Sequence, residues 1–367
     1  MNIMQRRDFL ISGVLGSGLL TNIESKFDGI DDINDNIFKV GKEHGDGIAS
    51  FTYGDGLIYT GGRRWDDGEG RIFVYDAENG DYISEYQGHS NRNHGYTEVE
   101  DGILYVGETS TFDDVIAYDT NNDFEILWEN TEHEQSITSL YVEDGIAYSG
   151  NGGASNFYAT EVIAYDGEKK FSYDNHSGNV RTIDKENNIL YSGGGDNFDG
   201  ITFTEGHIFA FDTKSEEILW EKTTSNPVQS VKVNDNMMYF STSYAINQDD
   251  YMLHKYDIEN NEMIWEYDDF DYDWGTISDI DVKNNLVSFT LANDLIMFDT
   301  DSMDVLFKKE DFGYGDYYIT EDVLYYTGDD DLVHAYGIKE MKMKYNEEKL
   351  STNYIVGTED GSINVDN

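Results

Sequence analysis

The sequence predicts an all-β fold of repeated four-stranded antiparallel sheets, and three observations support this. A nine-residue pattern returns at intervals of roughly 40 to 50 residues, as YGDGLIYTG, VEDGILYVG, VEDGIAYSG, KENNILYSG and TEDVLYYTG. Within each copy, apolar residues alternate with polar ones on both sides of a turn such as Asp-Gly or Asn-Asn, which is typical of two strands joined by a tight turn. Further short apolar runs, EILWEN and EILWEK among them, complete a unit of four strands.

We name the predicted strands of a unit A to D. In the unit around VEDGIAYSG, strand A covers residues 137–142, strand B residues 146–150 and strand C residues 161–166. Strand D is represented by the runs at 125–130, 217–222 and 262–267. One sheet of about 45 residues cannot cover both of its faces, whereas a closed ring of such sheets can. The sequence therefore predicts a β-propeller.

The number of blades follows from the ends of the C strands. They fall at eight positions, namely Asp76, Asp119, Asp166, Asp212, Asp257, Asp299, Gly337 and Asp366. Their successive spacings of 43, 47, 46, 45, 42, 38 and 29 residues make the last unit short. We therefore expect eight blades, the last with a poor or missing strand A. Seven blades with a C-terminal hairpin outside the ring is the alternative.

The two ends of the repeat region are each incomplete. Residues 37–48 align with the strand D and connector at 127–137, but no A, B or C strand precedes them. The chain ends in YIVGTEDGSINVD, a B–C hairpin that lacks a strand D. We expect the N-terminal strand to pair with this C-terminal hairpin, because closure of the ring hides exposed strand edges. The propeller domain is predicted to span residues 37–367.

Composition restricts the partners and the environment. The chain has 74 acidic and 24 basic residues, a net charge of −50, yet 38% of its residues are hydrophobic and 14% aromatic, so we expect it to fold. Self-repulsion at this charge is relieved by salt, which predicts a salt-adapted protein of the halophilic type. Nucleic acid is excluded as a partner by the sign of the charge. There is no cysteine, which excludes disulfides and thiolate chemistry.

The N-terminus resembles a twin-arginine export signal. Arg6 and Arg7 precede Phe9, Leu10 and a short apolar run, as in that motif. We expect a signal peptide over residues 1–26, an acidic linker over 27–36 and an extracytoplasmic protein, secreted or at the cell surface. The apolar run is shorter than the roughly 20 residues of a membrane-spanning helix, so no transmembrane segment is expected after cleavage. A helix of the domain, or an uncleaved signal that retains the protein, is the alternative.

Two sets of side chains carry a resemblance to known propeller families. Trp128, Trp220 and Trp265 in the D strands, with the turn GTEDGSINV, resemble the pyrroloquinoline-quinone-type (PQQ-like) repeat, whose family includes scaffold propellers of outer-membrane assembly. The connector histidines resemble those of WD repeats, each with an apolar residue four positions later: His44, His133 and His176. The second resemblance implies a structural hydrogen-bond network at these histidines. Both resemblances specify an architecture rather than an activity.

No cofactor is expected. A quinone-dependent dehydrogenase of the PQQ-like family would hold calcium and the quinone in the channel, but this chain is short for that class and lacks the adjacent cysteine pair of many members. Asp269, Asp271 and Asp273 are a weak calcium candidate, since alternating carboxylates occur in calcium loops. Trp274 stands where the EF-hand turn needs glycine, which favours an acidic connector.

The arginines point to one face of the predicted ring. Antiparallel order places the B–C loops and D–A connectors on that face, together with the candidate ligand-binding residues Arg63, Arg64, Trp65, Arg92, His94 and Arg181. Recognition commonly resides on loops held by a rigid frame, and arginine offers bidentate bonds to carboxylate or sulfate. The alternative is that these arginines pair with neighbouring Asp and Glu.

These observations predict a non-enzymatic binding or scaffold module. We expect an exported monomer that binds a protein or an acidic surface glycan through this face. No nucleophile elbow, zinc-protease motif or phosphate-binding glycine loop is present. The alternative is an exported enzyme, a quinone-dependent dehydrogenase or a glycan-active hydrolase or lyase, with its site at the mouth of the channel.

Overall fold

The computed structural model describes most of the chain between residues 36 and 337. The described ranges are 36–40, 48–63, 69–90, 94–109, 114–133, 135–152, 160–176, 178–195, 205–242, 252–267, 277–283, 285–291, 294–309, 317–320, 323–327 and 332–337. The chain divides into two units, residues 1–36 and 37–367, and the following description concerns the second. Among the described residues there is no helix long and apolar enough to cross a membrane.

The described strands form seven four-stranded sheets, which we call blades 1 to 7. Blades 1 to 3 consist of β2 (Ser50–Gly54), β3 (Leu57–Arg63), β4 (Glu69–Asp76) and β5 (Tyr82–Ser90); β6 (His94–Glu100), β7 (Ile103–Glu108), β8 (Val115–Asp119) and β9 (Glu125–Asn130); and β10 (Ile137–Glu143), β11 (Ile146–Asn151), β12 (Thr160–Tyr165) and β13 (Lys169–His176). Blades 4 to 6 consist of β14 (Asn179–Glu186), β15 (Ile189–Gly195), β16 (Gly206–Asp212) and β17 (Glu217–Thr224); β18 (Val228–Asn234), β19 (Met237–Thr242), β20 (Met252–Asp257) and β21 (Glu262–Tyr267); and β22 (Ile277–Lys283), β23 (Leu286–Leu291), β24 (Asp294–Asp299) and β25 (Val305–Lys309). Blade 7 consists of β26 (Tyr317–Ile319), β27 (Val323–Thr327), β28 (Val333–Gly337) and β1 (Asn36–Val40).

The seven blades close into a ring. In blades 1 to 6 the strands A to D pair in chain order as antiparallel neighbours. The A strand of each blade contacts the A strand of the next, from β2 through β6, β10, β14, β18 and β22 to β26, and β26 contacts β2 again. The A strands are therefore innermost and surround a central channel, while the D strands form the outer edge. The predicted propeller fold is confirmed.

The described part of the ring corresponds to the seven-blade alternative, although eight blades were favoured. The eighth C-strand end, at Asp366, and the C-terminal hairpin lie outside the described residues. The N-terminal strand closes the ring as predicted, but β1 lies beside β28 of blade 7. Blade 7 has its own A, B and C strands and needs only a strand D, so the N-terminal strand completes it without the C-terminal hairpin.

The recurring Asp-Gly and strand-C Asp residues form the turns at one end of each blade. The A–B turn of blade 1 has two residues with positive φ, Asp55 at 54° and Gly56 at 75°, the geometry of a type I′ hairpin that suits the strand twist. At the end of strand C, Asp212 Oδ1 accepts hydrogen bonds from the backbone N–H groups of Lys214 and Ser215, at 2.8 and 3.2 Å. These bonds lower the pKa of the Asp212 carboxyl and replace backbone partners in the turn.

The D-strand tryptophans pack neighbouring blades together. The Trp128 ring lies 5.9 Å from that of Tyr105 in its own blade and 6.2 Å from that of Tyr165 in blade 3. Trp220 has the same position between Tyr191 of blade 4 and Tyr256 of blade 5, at 6.1 and 6.4 Å. Aromatic pairs at these separations add to the stability gained from burial of their area. This packing explains why a large aromatic residue returns once per repeat.

The glycine at the end of the B-strand motif lets blades approach closely. A Cβ atom on Gly107 would lie 2.9 Å from Ile137 Cγ2 of blade 3, and one on Gly193 would lie 2.7 Å from Val228 Cγ1 of blade 5. Each contact is with the first apolar residue of the next A strand, so the repeat uses glycine where two blades touch near the channel.

The outer edge is interrupted by a regular bulge. In blades 1 to 6 the C–D register shifts at the second or third residue of strand D. The bulged residue is an apolar side chain about half exposed in four blades: Ile83, Leu127, Leu219 and Ile264. A bulge breaks the row of backbone donors and acceptors on an edge strand, which hinders pairing with another chain.

Candidate functional site

The two ends of the ring differ in the length of their connections. The turn face carries the A–B and C–D turns, and its A–B turns contain two residues in blades 1 to 6. The loop face carries the B–C loops and D–A connectors, and the B–C loop between β15 and β16 covers residues 196–205. The turn face is also held to neighbouring blades: the N–H of Gly102 donates to Asp55 Oδ2 at 3.0 Å, and the N–H of Gly145 donates to Glu100 Oε2 at 2.7 Å. The loop face is therefore the end at which sequence can vary without disturbing the frame.

The predicted ligand-binding residues fall at this loop face where their strands are described. Arg63 is the last residue of β3 and His94 the first of β6, and the structure gives no side-chain description for either. Arg64, Trp65 and Arg92 lie outside the described residues. A joint binding surface formed by these side chains stays a prediction.

Arg181 is the predicted binding residue whose side chain is described. It lies in β14, an innermost strand, at a register shift between Val180 and Thr182. Its Nη1 donates a hydrogen bond of 2.7 Å to Oε1 of Gln229 in blade 5. Burial lowers the pKa of its guanidinium, and Tyr96 of blade 2 acts in the opposite direction. The influence of residues from blades 2 and 5 places Arg181 over the loop-face mouth of the channel.

Related bulges occur around this mouth. The A–B register shifts at the same place in blades 2 to 5, which leaves four A-strand residues without a cross-strand partner: Gly95, Thr138, Arg181 and Gln229. A bulge re-aims a side chain that would otherwise follow the pleat, and bulges are common beside binding sites. The mouth is thus lined by residues released from regular sheet geometry.

A further arginine of blade 1, Arg71, is paired with a neighbouring carboxylate. It lies in β4 near the loop face, and its guanidinium forms an ion pair with Glu85 of β5. Its charge is already balanced within blade 1. A guanidinium with an internal carboxylate partner is a weaker candidate for ligand binding than Arg181.

A second group of residues lies deeper in the channel. Aligning the A strands by their cross-strand partners gives one residue per blade: Thr52, Glu98, Tyr141, Asp184, Lys232, Asp281 and Tyr318. In six blades the strand-B partner is a tyrosine buried at 3% exposure or less, and in blade 6 it is Ser288. Tyr317 compensates by donating its hydroxyl hydrogen bond to the Ser288 carbonyl at 2.6 Å. We call the seven A-strand residues the channel ring.

Lys232 is the central cation of the channel ring. Its Nζ lies 3.4 Å from Asp184 Oδ1, with 34% of the lysine side chain and 7% of the aspartate side chain exposed. The other Asp184 oxygen accepts a hydrogen bond of 2.6 Å from the Val233 N–H. Asp184, Asp281 and Glu98 together raise the pKa of Lys232, against its burial. One amino group thus faces three carboxylates from three other blades.

Glu98 carries a strongly altered carboxyl in the channel ring. Burial raises its pKa to about 7, with smaller contributions from Lys232, which lowers it, and from Asp281 and Asp184, which raise it. Since Lys232 lies three blades away along the ring, this influence acts across the channel. The channel at this depth is occupied by side chains whose charges depend on one another.

We predict that the Glu98→Gln variant changes the pH dependence of stability. Glu98 binds its proton more tightly in the folded chain, so its contribution to the free energy of unfolding falls as the pH rises from about 4.5 to about 7. Relative to wild type, Glu98→Gln should gain about 1 to 2 kcal/mol between about pH 5 and pH 8, less than the full shift implies because water reaches this half-buried side chain. Denaturant unfolding of both proteins at the two pH values tests this. A difference that does not change with pH would contradict it.

His133 occupies a buried network of the type that the WD-like pattern implies. It is 6% exposed, and its Nε2 shares a hydrogen bond of 2.6 Å with Ser149 Oγ of strand B. The ring of Tyr165 lies edge-on at 6.2 Å. Burial, with a smaller effect from Lys169, lowers the pKa of His133 to about 3, so it is neutral at physiological pH. His44 lies outside the described residues, as does the side chain of His176.

Removing the partner of His133 should destabilise the fold. We predict that Ser149→Ala lowers the free energy of unfolding by about 1 to 3 kcal/mol, because a buried ring nitrogen loses its hydrogen bond. Urea unfolding at neutral pH measures the effect. Ser172→Ala, on an exposed position of strand D, is the control and should change stability by less than about 0.5 kcal/mol. Equal effects of the two substitutions would argue against a buried network at His133.

The described residues contain no group of three or more His, Asp or Glu side chains arranged to hold a metal ion. The weak calcium candidate, Asp269, Asp271 and Asp273, lies outside the described residues. It stays an untested prediction.

Sequence reasoning missed the channel ring. Its acidic members are indistinguishable by composition in a chain with 74 acidic residues. One signal could have revealed them: each of the first six members stands three residues before its A–B turn, as Glu98 does before Asp101 and Lys232 before Asp235. Alignment of the A strands by these turns brings the charged positions into register.

The closed ring of blades, with its two unlike ends, identifies the architecture. Seven closed blades with tight turns at one end and long loops at the other form a β-propeller of the PQQ-like repeat type. Residues 60–199 and 185–278 match the family model described as outer membrane protein assembly factor BamB. These matches cover more than half of the 367 residues, and the chain belongs to this family. The predicted PQQ-like resemblance is confirmed.

Solved structures share the fold at low sequence identity. The BamB structure from Moraxella catarrhalis is 11% identical, with a TM-score of 0.53 over 77% of this chain and 81% of that chain. A computationally designed protein, Ika8, is 15% identical, with a TM-score of 0.55 over 79% and 96% of the two chains. A chain of the mitotic checkpoint complex is 14% identical, with a TM-score of 0.59 over 77% and 83%. The comparison with curated proteins gives no significant match.

Proposed function

We propose that this protein is an exported, non-enzymatic scaffold that binds a protein partner through its loop face. The observation that carries the proposal is the difference between the two ends of the propeller. The turn face carries two-residue A–B turns in blades 1 to 6 and C–D turns of three to five residues, and two of the A–B turns are bonded to neighbouring blades. The loop face carries connections of up to 10 residues, as between β15 and β16. A rigid frame that presents long loops at one end is suited to recognition.

The family favours a protein as the binding partner. Its model is described as an outer membrane protein assembly factor, and assembly of proteins is a protein-binding task. This favours a protein partner over the acidic glycan that the sequence leaves open.

Export and salt adaptation are part of the same proposal. Residues 1–26 resemble a twin-arginine signal, and proteins that act at an outer membrane must leave the cytoplasm. The excess of 74 acidic over 24 basic residues suits concentrated salt, where screening removes self-repulsion. Experiments on the purified chain should therefore be carried out in high salt.

A capture experiment with a matched control tests the binding face. The mature chain, an Arg63→Glu/Arg92→Glu variant at the loop face and a Lys170→Glu/Lys214→Glu variant near the turn face are each immobilised and exposed to a cell-surface extract. The two variants reverse the same number of charges. Wild type and the turn-face variant should retain the same discrete protein, and the loop-face variant should lose about 90% or more of it, because contact arginines at an interface are often energetically dominant.

Two outcomes would overturn the proposal. Equal retention by all three proteins would remove the loop face as the binding surface. Failure of wild type to retain any discrete protein, with released glycan products or quinone-dependent dye reduction instead, would favour an exported enzyme. Circular dichroism of each variant checks that the fold is intact.

A further inference from the structure

We propose that Arg181 is a binding site for a carboxylate group at the loop-face mouth of the channel. The inference rests on the proposed function for its partner, a protein, and adds the chemical group that the partner presents. That group is either the side chain of Asp or Glu or a free C-terminus, since both present the same carboxylate.

The position of Arg181 separates it from an ordinary surface arginine. It stands on the innermost strand of blade 4, at a bulge that frees its side chain from the regular pleat. Gln229 of blade 5, itself at a bulge, accepts its Nη1 hydrogen bond at 2.7 Å. This bond fixes one side of the planar guanidinium over the channel mouth.

The charge of Arg181 has no carboxylate partner among the described residues, where its guanidinium bonds to the neutral amide of Gln229. Elsewhere the basic side chains of this acidic protein find carboxylates readily: Lys169 pairs with Glu132 at 3.0 Å and Lys170 with Asp166 at 2.6 Å. Within the described part of the chain this guanidinium is therefore unbalanced, and such a charge is costly to place where water is restricted. A ligand carboxylate would supply the missing charge.

The proposed carboxylate lies on the guanidinium edge formed by Nε and Nη2, since Nη1 is held by Gln229. Its Nε atom is covered by protein atoms and makes no hydrogen bond within the described part of the chain. We place one carboxylate oxygen on Nη2, and the second oxygen reaches Nε when the atoms that cover it move aside, which gives two parallel hydrogen bonds. Such bidentate contacts act at short range, so salt screens them less than long-range attraction.

The channel ring limits how deep the ligand can enter. Asp184 follows Arg181 by three residues on β14, about 10 Å along a strand, and lies with Glu98 and Asp281 around Lys232. Three carboxylates facing one amino group repel a further anion. The proposed site therefore holds a carboxylate at the mouth and does not continue through the channel.

Defined peptide libraries test the site directly. One library contains random peptides of about eight residues with Asp, Glu and free C-termini, and the other contains amidated peptides without Asp or Glu. Retention is measured on the full propeller in high salt, and retained peptides are sequenced. Wild type should enrich the carboxylate library about tenfold or more, a ratio expected for one well-formed charged contact. Amidation of retained sequences then separates C-terminal from side-chain recognition.

Three variants relate the enrichment to Arg181. Arg181→Gln should abolish it. Gln229→Glu keeps the shape of its side chain but places an internal carboxylate against Nη1, so it should also abolish the enrichment while leaving the melting temperature equal to or above that of wild type. Arg71→Gln is the control on the same face, since Arg71 is already paired with Glu85, and it should keep the enrichment.

The outcomes separate this site from the scaffold function. Enrichment that persists in both Arg181→Gln and Gln229→Glu, or that is absent in wild type, overturns the carboxylate site. If the cell-surface partner is retained equally by wild type and Arg181→Gln, the scaffold function stands and the site falls. If no partner is captured but peptide enrichment depends on Arg181, the site stands and the scaffold function falls.

Discussion

Replacing Lys232 by methionine is expected to lower the free energy of unfolding by about 2 to 4 kcal/mol at about pH 8. The substitution removes the one amino group that faces Asp184, Asp281 and Glu98, and uncompensated charge in a buried site is strongly destabilising. Since 34% of the lysine side chain is exposed, the effect should lie toward the lower end of that range. Guanidinium unfolding monitored by tryptophan fluorescence measures it.

Two controls distinguish charge from packing at this position. Lys232→Arg keeps the positive charge and should recover most of the lost stability, whereas Lys232→Gln should behave like Lys232→Met. The loss should also shrink at about pH 5, because Glu98 is then largely protonated, given a pKa of about 7. Similar losses in Lys232→Arg and Lys232→Met would show that the carboxylates do not need this cation.

Placing valine at Gly150 is expected to destabilise the propeller by about 3 kcal/mol, the upper range for overpacking a close contact. A Cβ atom at this position would lie 2.7 Å from Val180 Cβ in the next blade and 2.5 Å from Ser139 Oγ. The Ser139 hydroxyl can rotate away, but Val180 Cβ is attached directly to the backbone, so the two blades must move apart. Thermal and denaturant unfolding of the variant measure the loss.

The double variant Gly150→Val/Val180→Ala is the matched test. Removal of the Val180 methyl groups relieves part of the overlap, so the double variant should be more stable than the sum of the single effects predicts, by about 1 kcal/mol or more. Additive effects, or an undisturbed Gly150→Val protein, would mean that the blades are not held as closely as the structure shows.

Lys232 and Gly150 both belong to the frame that positions the loop face. Lys232 lies on an innermost strand, and Gly150 lies at the contact between blades 3 and 4. The substitutions at these positions therefore test whether the ring is rigid around the channel. Arg181 stands between them in the chain, and its neighbour Val180 packs against Gly150. A displaced blade would therefore disturb the proposed carboxylate site as well as the stability.

Local sequence patterns predicted the blade anatomy closely. The A and B strands expected at 137–142 and 146–150 are observed at Ile137–Glu143 and Ile146–Asn151. Such agreement arises because alternation and turn residues such as Asp144 and Gly145 act over a few neighbours. The blade count was less secure, because the last units depart from the common length and no local pattern states which strand supplies the missing strand D of blade 7.

The site was predicted only at the level of a face. Chain order in antiparallel sheets is enough to place Arg181 at the loop-face end of a strand. Its bulge, its bond to Gln229 and its position over the channel depend on how blades 4 and 5 are brought together. Arg181 and Gln229 are 48 positions apart in the chain, so no local pattern indicates that they are in contact.

The repeat, the strand order in blades 1 to 6, the tight turns and the charge of the surface could all be predicted from the sequence. These follow from interactions between near neighbours and from composition. The sequence did not indicate that Glu98, Asp184, Lys232 and Asp281 meet in one channel, or that Arg181 lacks an internal carboxylate within the described chain. Closure of the ring brings together residues from blades far apart in the chain, and the charge of each then depends on its distance from the others.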